Sequence, residues 1–185
     1  LFVDNEGVQD HPGFQRKVQR PQPVQQEPVL RPDRPWEGHS IQLWGSVLYD
    51  EEEKRFKAWY YSINQDLYMR GVQGYFMCYA TSKDGVEWEK PELGIVEFEG
   101  STKNNILMQG EWWATLGTVL KEDHEADPAK KYKLLYTDVF GVSRDQMARE
   151  GGINGDRRGR SGVCMAYSSD GVHWEPYSGN PVIEG

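Results

Sequence analysis

The chain is short of cysteine, of positive charge and of long apolar runs, and each shortage excludes a class of protein. Two cysteines in 185 residues cannot supply the disulfide framework of a small secreted scaffold. They occupy the same register in successive repeats, too far apart to pair with each other, and are read as small buried apolar residues. Lys and Arg number 21 against 29 Asp and Glu, a formal charge of -8. That balance argues against nucleic acid and anionic membranes as partners, since both reward clustered cations. No apolar run approaches the roughly 18 residues of a transmembrane helix, and no signal-peptide pattern is visible. The histidines (His11, His39, His124, His173) are scattered and none stands near a cysteine, so no metal site is expected. The Gly-rich stretch from Gly151 to Gly162 lacks the Lys-Ser/Thr of a phosphate loop and any strand-to-helix context, so no nucleotide cofactor is expected. Capped helix-period segments are scarce as well. What is left is a strand-forming sequence.

What is present is an internal repeat. Cys78 to Glu89 (C-Y-A-T-S-K-D-G-V-E-W-E) matches Cys164 to Glu175 (C-M-A-Y-S-S-D-G-V-H-W-E) without a gap. The shared pattern reads as a strand, a Ser-x-Asp-Gly turn and a short second strand bearing Trp88 or Trp174. The match extends upstream: Gly45-Ser-Val-Leu48 with Gly117-Thr-Val-Leu120, and Lys54–Tyr60 with Lys130–Tyr136. Three starter segments, Pro28-Val-Leu30, Asn105-Ile-Leu107 and Pro181-Val-Ile183, are spaced by 76–77 residues. Each unit is read as four strands: 41–49, 55–62, 75–82 and 86–90, then 114–121, 131–138, 162–168 and 172–177. Trp44, Trp59, Trp88 and Trp174 repeat or alternate as core residues do.

Successive four-stranded antiparallel sheets arranged radially make a β-propeller; a solenoid of β-sandwiches is the alternative. The expected fold class is all-β, with about two blades after an extended, Pro- and Gln-rich lead-in. The organisation is one partial propeller domain over 1–185, comprising the lead-in (1–34), blade 1 (35–104), blade 2 (105–180) and the start of blade 3 (181–185). Because two blades cannot close a ring, and the chain opens on Leu1, it is expected to be a piece of a larger protein.

Tyr79-Ala-Thr-Ser-Lys-Asp-Gly-Val-Glu-Trp-Glu-Lys-Pro91, with Asn104-Asn-Ile-Leu107 and Arg31-Pro-Asp-Arg-Pro-Trp-Glu37 around it, resembles the five-bladed β-propeller glycosidase superfamily. That group includes arabinanases, invertases, levansucrases and mannoside phosphorylases (glycoside hydrolase families 32, 43 and 130). The hairpin also resembles the Asp-box of sialidases, but one residue between Asp and Gly is absent, which makes a sialidase-like enzyme a lesser alternative beside a non-catalytic glycan-binding propeller. The resemblance implies five blades, hydrolysis of glycosidic bonds in an oligo- or polysaccharide, a carbohydrate partner, and a secreted or periplasmic location. It also implies a substrate mouth where the innermost strand begins, shared with the loops between second and third strands. Asp84 and Asp170 then fall in turns on the far face and are read as backbone-binding, and Asp50–Glu53 as a soluble turn.

Glycoside hydrolysis needs two carboxyl groups flanking the scissile bond. Glu37, preferred over Asp33, is the candidate base or nucleophile; Asp138 is the candidate auxiliary carboxylate, with Glu111 its competitor. The general acid is expected past Gly185, and the chain alone is expected to be inactive. Trp36, Trp112, Trp113 and Tyr68 are candidates to stack a sugar ring; His39, Arg70 and Asn64 are candidates to reach its hydroxyls. Arg157, Arg158 and Arg160 are candidates to clamp an acidic glycan.

Overall fold

The computed structural model describes residues 17–70, 74–108, 115–140 and 160–184. Each repeat makes one antiparallel sheet. In the first, β1 (Ser40–Asp50), β2 (Arg55–Ile63) and β3 (Tyr75–Ser82) lie side by side; β4 (Trp88–Glu89) and β5 (Ile106–Met108) share the outer edge of β3. A short helix, α1 (Gln65–Met69), lies in the β2–β3 connection. The second sheet repeats this order with β6 (Thr115–Lys121), β7 (Tyr132–Phe140) and β8 (Arg160–Ser168), and with β9 (Glu175–Pro176) and β10 (Ile183–Glu184) sharing the edge of β8. Among the described residues no helix is long and apolar enough to cross a membrane.

The pairing corrects one reading of the sequence. Asn105-Ile-Leu107 and Pro181-Val-Ile183, taken as the openings of following units, instead complete the outer edge of their own. Cys78 pairs with Ile106 and Val163 with Ile183. The fourth strand is therefore divided: after β4 the chain detours through residues 90–105 and returns along the unused half of β3.

Each hairpin turn is built by its own side chains. Ser82 Oγ accepts from the amides of Asp84 and Gly85, while Asp84 Oδ1 accepts from those of Val86 and Glu87. Ser168 and Asp170 do the same for Asp170, Gly171, Val172 and His173. Backbone capping of this kind explains why Ser-x-Asp-Gly recurs.

The sheets pack front to back. Trp59, Tyr61, Met77 and Tyr79 of the first meet Leu134, Tyr136, Cys164 and Ala166 of the second in one buried cluster. In the repeat, Trp59 corresponds to Leu135, not Leu134. Unlike faces therefore meet, as in successive blades and unlike a two-fold sandwich. The opposite face of the first sheet (Tyr60, Phe76, Cys78, Ala80) is covered by Trp36, Leu67, Val96 and Phe98. Both cysteines are buried and unpaired.

Polar anchors fix the seam. Trp59 Nε1 donates to the Gly171 carbonyl at 2.7 Å, the position that Trp88 Nε1 takes on Gly85 within the first hairpin. Trp174 Nε1, buried, has no hydrogen-bond partner among the described residues. Farther down, Asp50 is 2% exposed and accepts from Tyr132 at 2.6 Å, with Lys57 and Lys121 at 3.0 and 3.2 Å. Burial alone would raise the Asp50 carboxyl; the Tyr132 hydroxyl, a turn amide and the two ammonium groups overcome it and hold the group well below the usual carboxylate range.

Two outcomes follow from this seam. A group with a depressed folded pKa stabilises fully above its unfolded value near ~4 and loses that contribution as pH falls below it. The thermal midpoint should hold down to about pH 4 and then drop. Asp50→Asn, which leaves Lys57 to Glu53 and Lys121 to Asp123 at the exposed side of the cluster, should cost about 1–3 kcal/mol near neutrality and flatten the acid limb, as read by melting against pH. Gly171 and Gly94 test the close contact. Both have positive φ (80° and 74°), but a Cβ on Gly171 would lie 2.8 Å from Trp59, whereas Gly94 faces open space. Gly171→Ala should therefore destabilise by about 1–3 kcal/mol more than Gly94→Ala in urea melts.

Candidate functional site

The segment leading into β1 is a single 3-10 turn, Pro35–Glu37, begun by a proline whose fixed φ suits a helix start. The Glu37 side chain folds back over it. Its Oε2 accepts from the amides of Asp33 (2.8 Å) and Arg34 (3.0 Å) and from Lys90 Nζ (2.7 Å). Its Oε1 accepts from the Tyr60 hydroxyl at 2.7 Å. Tyr60 in turn accepts from Asn105 Nδ2, which also donates to the Tyr79 carbonyl, and Asn105 Oδ1 accepts from Trp36 Nε1. Asn64 Nδ2 ties the turn to the end of β2 through the Pro35 carbonyl.

This network changes the reading of Glu37 and Trp36. Glu37 is 0% exposed, and among the described residues its carboxylate accepts four hydrogen bonds, three on Oε2 and one on Oε1. It braces the lead-in against the sheet, away from solvent. Trp36 is buried, edge-on to Phe98 with ring centroids 6.1 Å apart, and offers no face to a sugar.

Asp33 is different. Its side chain is 61% exposed and sits 2.7 Å from Lys90 Nζ. Slight burial acts against ionisation, but Lys90, through a hydrogen bond and its charge, and Arg34 hold the carboxyl below its usual value. It borders a cleft of about 500 Å³ lined by Leu30, Arg31, Arg34, Trp88, Glu89 and Lys90, among others. This cleft follows the β4 edge of the sheet, the edge opposite β1.

Asp138 is buried near the end of β7, on the face of Leu134 and Tyr136. Burial first, and then the Asp138 charge, push the Cys164 thiol up to about 11. Since Glu37 meets Tyr60 on the other face of the first sheet, that sheet stands between Asp138 and Glu37. Asp33 and Glu37 meet at Lys90 Nζ, and Asp138 lies on the far side of the first sheet from them. His39 is exposed, its Nε2 3.5 Å from Asp66 Oδ2; Arg70 is exposed just beyond α1, and Asn64 Oδ1 accepts from the Leu67 amide inside it. Glu111, Trp112, Trp113, Arg157 and Arg158 lie outside the described residues, as do the side chains of Tyr68 and Arg160.

Two residues that matter here, Lys90 and Asn105, were given no role from the sequence, and a third, Trp44, was given another. Lys90 follows the first hairpin where the second copy has Pro176, a departure from the repeat that marks it. Asn105 belongs to an Asn-Asn pair whose two side chains divide the work: Asn104 caps the connection through Val96 and Ile106, and Asn105 enters the core. Trp44, read as a core residue, is 59% exposed.

No protein-family model matches the chain, and no curated protein does. The fold does match solved structures. A β-fructofuranosidase from Schwanniomyces occidentalis, complexed with fructosyl-erythritol, aligns over 84% of this chain at 17% identity with a TM-score of 0.52. A fructofuranosidase from the same organism, complexed with fructose, aligns over 76% at 16% identity and 0.49. An N-acetylgalactosamine deacetylase from F. plautii, in complex with blood group B trisaccharide, aligns over 81% at 16% identity and 0.44. The chain covers 26%, 24% and 38% of these proteins, in that order, so the likeness concerns part of a larger fold. The architecture is all-β and resembles part of the fold of the β-fructofuranosidase.

The buried pair offers a direct check. Lys90→Met leaves the Glu37 charge uncompensated and should cost about 3–5 kcal/mol in urea unfolding. Asp33→Asn, at the exposed end of the same lysine, should cost under about 1 kcal/mol. Adding Glu37→Gln to Lys90→Met should recover part of the loss.

Proposed function

We propose that this chain is part of a carbohydrate-active five-bladed propeller of the glycoside hydrolase type, which cleaves glycosidic bonds in an oligo- or polysaccharide. The observation that carries the reading is the alignment of both sheets, over 84% of the chain, with a β-fructofuranosidase complexed with fructosyl-erythritol. The duplicated Ser-x-Asp-Gly-Val-x-Trp-Glu hairpin, one per sheet, supports the same architecture. Of the candidate carboxylates among the described residues (Asp33, Glu37 and Asp138), Asp33 is the exposed one. It is exposed and ionised, fit to act as a base or nucleophile and not as the acid. The general acid belongs to a part of the protein outside these residues.

A second reading, glycan binding without hydrolysis, has a specific observation in its favour: Glu37 is buried and held by four donors, Asp138 is buried on another face, and the Asp33 cleft follows the outer edge of its sheet. The test uses the whole protein that carries this chain, screened for reducing-sugar release and for binding against plant, algal and microbial glycans. Hydrolysis that falls about 100-fold or more in Asp33→Asn, with binding kept, supports the first reading. Binding with no hydrolysis supports the second. Neither binding nor hydrolysis across the panel overturns both.

A further inference from the structure

The repeated hairpin holds the pair Asp-Gly twice, at 84–85 and 170–171, in turns of one design. In each, the glycine amide donates to the serine Oγ, at 2.8 Å for Gly85 to Ser82 and 2.9 Å for Gly171 to Ser168. In each, the aspartate Oδ1 accepts from the two amides after the glycine, all at 2.8 Å. Both glycines have positive φ, 78° and 80°. Sequence and local hydrogen bonding are thus matched, so a difference in the chemistry of the two pairs comes from what surrounds them.

The surroundings differ. The peptide between Asp170 and Gly171 is tied on both sides to the first sheet: the Gly171 carbonyl accepts from Trp59 Nε1 at 2.7 Å, and the Asp170 carbonyl from Lys57 Nζ at 3.5 Å. Trp59 and Lys57 are themselves buried. So is Gly171, where a Cβ would lie 2.8 Å from Trp59 and 3.2 Å from Tyr132. His173 adds a further hold, its Nδ1 2.7 Å from Asp170 Oδ2, where the first copy has Glu87. The first turn is closed by its own hairpin instead: the Gly85 carbonyl accepts from Trp88 Nε1 at 3.0 Å. Opening the first turn breaks the hairpin's own hydrogen bonds; opening the second also breaks those of the seam.

We infer that Asp84–Gly85 is a site of spontaneous backbone isomerisation in this chain, and that the seam protects Asp170–Gly171 from the same change. The reaction needs the Gly85 nitrogen to attack the Asp84 side-chain carboxyl carbon, which glycine permits because no Cβ stands beside its nitrogen. The new N–C bond forms, a carboxyl oxygen leaves as water with the amide and carboxyl protons, and a five-membered imide results. Water then opens the ring. Attack at the side-chain carbonyl restores aspartate. Attack at the main-chain carbonyl breaks the original peptide bond and leaves isoaspartate, with the chain running through Cβ. One water is lost and one regained, and no other reagent takes part. In the native turn both reacting groups are engaged elsewhere, the nitrogen on Ser82 and the carboxylate on Val86 and Glu87, so each turn reacts only when it opens. Isoaspartate at position 84 lengthens the main chain and displaces the carbonyl that holds Trp88. Trp88 and Glu89 line the Asp33 cleft, so the modification reshapes one wall of it.

The test is peptide mapping of the full chain aged for weeks at neutral pH, with isoaspartate read at each position by its resistance to an Asp-specific endoproteinase. In the folded chain isoaspartate should accumulate at position 84 about tenfold or more faster than at position 170, the seam bonds making the difference. In concentrated urea the two rates should converge, because the local sequences are alike. Trp59→Phe, which removes the bond to the Gly171 carbonyl and keeps a ring in the core, should speed position 170 several-fold and leave position 84 unchanged. Equal rates at the two positions of the folded chain overturn the inference, as does a position 84 that stays aspartate while the unfolded chain converts. A Trp59→Phe chain in which position 170 reacts as slowly as before overturns the protection by the seam. None of these readouts depends on the carbohydrate reading.

Discussion

The contact on which the rest of this structure depends is the seam between the two sheets, where an aromatic core is pinned at two heights by directional polar bonds. Hydrophobic burial is non-directional, so Trp59, Tyr61, Leu134 and Tyr136 alone would permit the sheets to slide or rotate. The Trp59 indole on the Gly171 carbonyl sets one point of registry. The cluster around Asp50, with Lys57 from its own sheet and Lys121 and Tyr132 from the next, sets a second. Two separated points define a relative orientation, and every position on the inner rim inherits it.

Buried charge in this molecule is spent on positioning. Both internal clusters, Asp50 with two lysines and Glu37 with Lys90, join segments distant in sequence, and in each the carboxylate is surrounded by several donors. Such arrangements add little net stability over a well-packed apolar alternative but penalise any misplacement of a partner. A carboxylate so engaged is a poor reagent. The acids most visible in the sequence are held in place by the same donors that silence them.

The all-β class, the two-sheet organisation and the turn chemistry were legible because they are local: alternation, Asp-Gly and a gapless repeat report directly on strands and hairpins. Strand limits came within a few residues for the same reason. The division of the outer strand was not legible. Ile106 and Ile183 look like strand openings whichever neighbour they pair with, and only the ladder to β3 and β8 decides. Glu37 after a tryptophan and before a strand reads equally as a rim acid or a cap, and the decision lies in Tyr60, Asn105 and Lys90, far off in the chain. Trp44 was misread because period-two alternation assumes an unbroken ladder, and the β1 ladder shifts register between Gln42 and Ser46.

The divided outer strand has an evolutionary corollary. Since β4 and β5 each hold only a few rungs of β3, the chain between them can lengthen at the Glu99–Gly100 tip, beyond the Phe98–Ser101 bridge, without disturbing the ladder or the cover that Val96 and Phe98 give the sheet. New binding loops could be grafted at that gap while the four-stranded frame stays intact. Diversity of ligand on a constant scaffold would then require no redesign of the core.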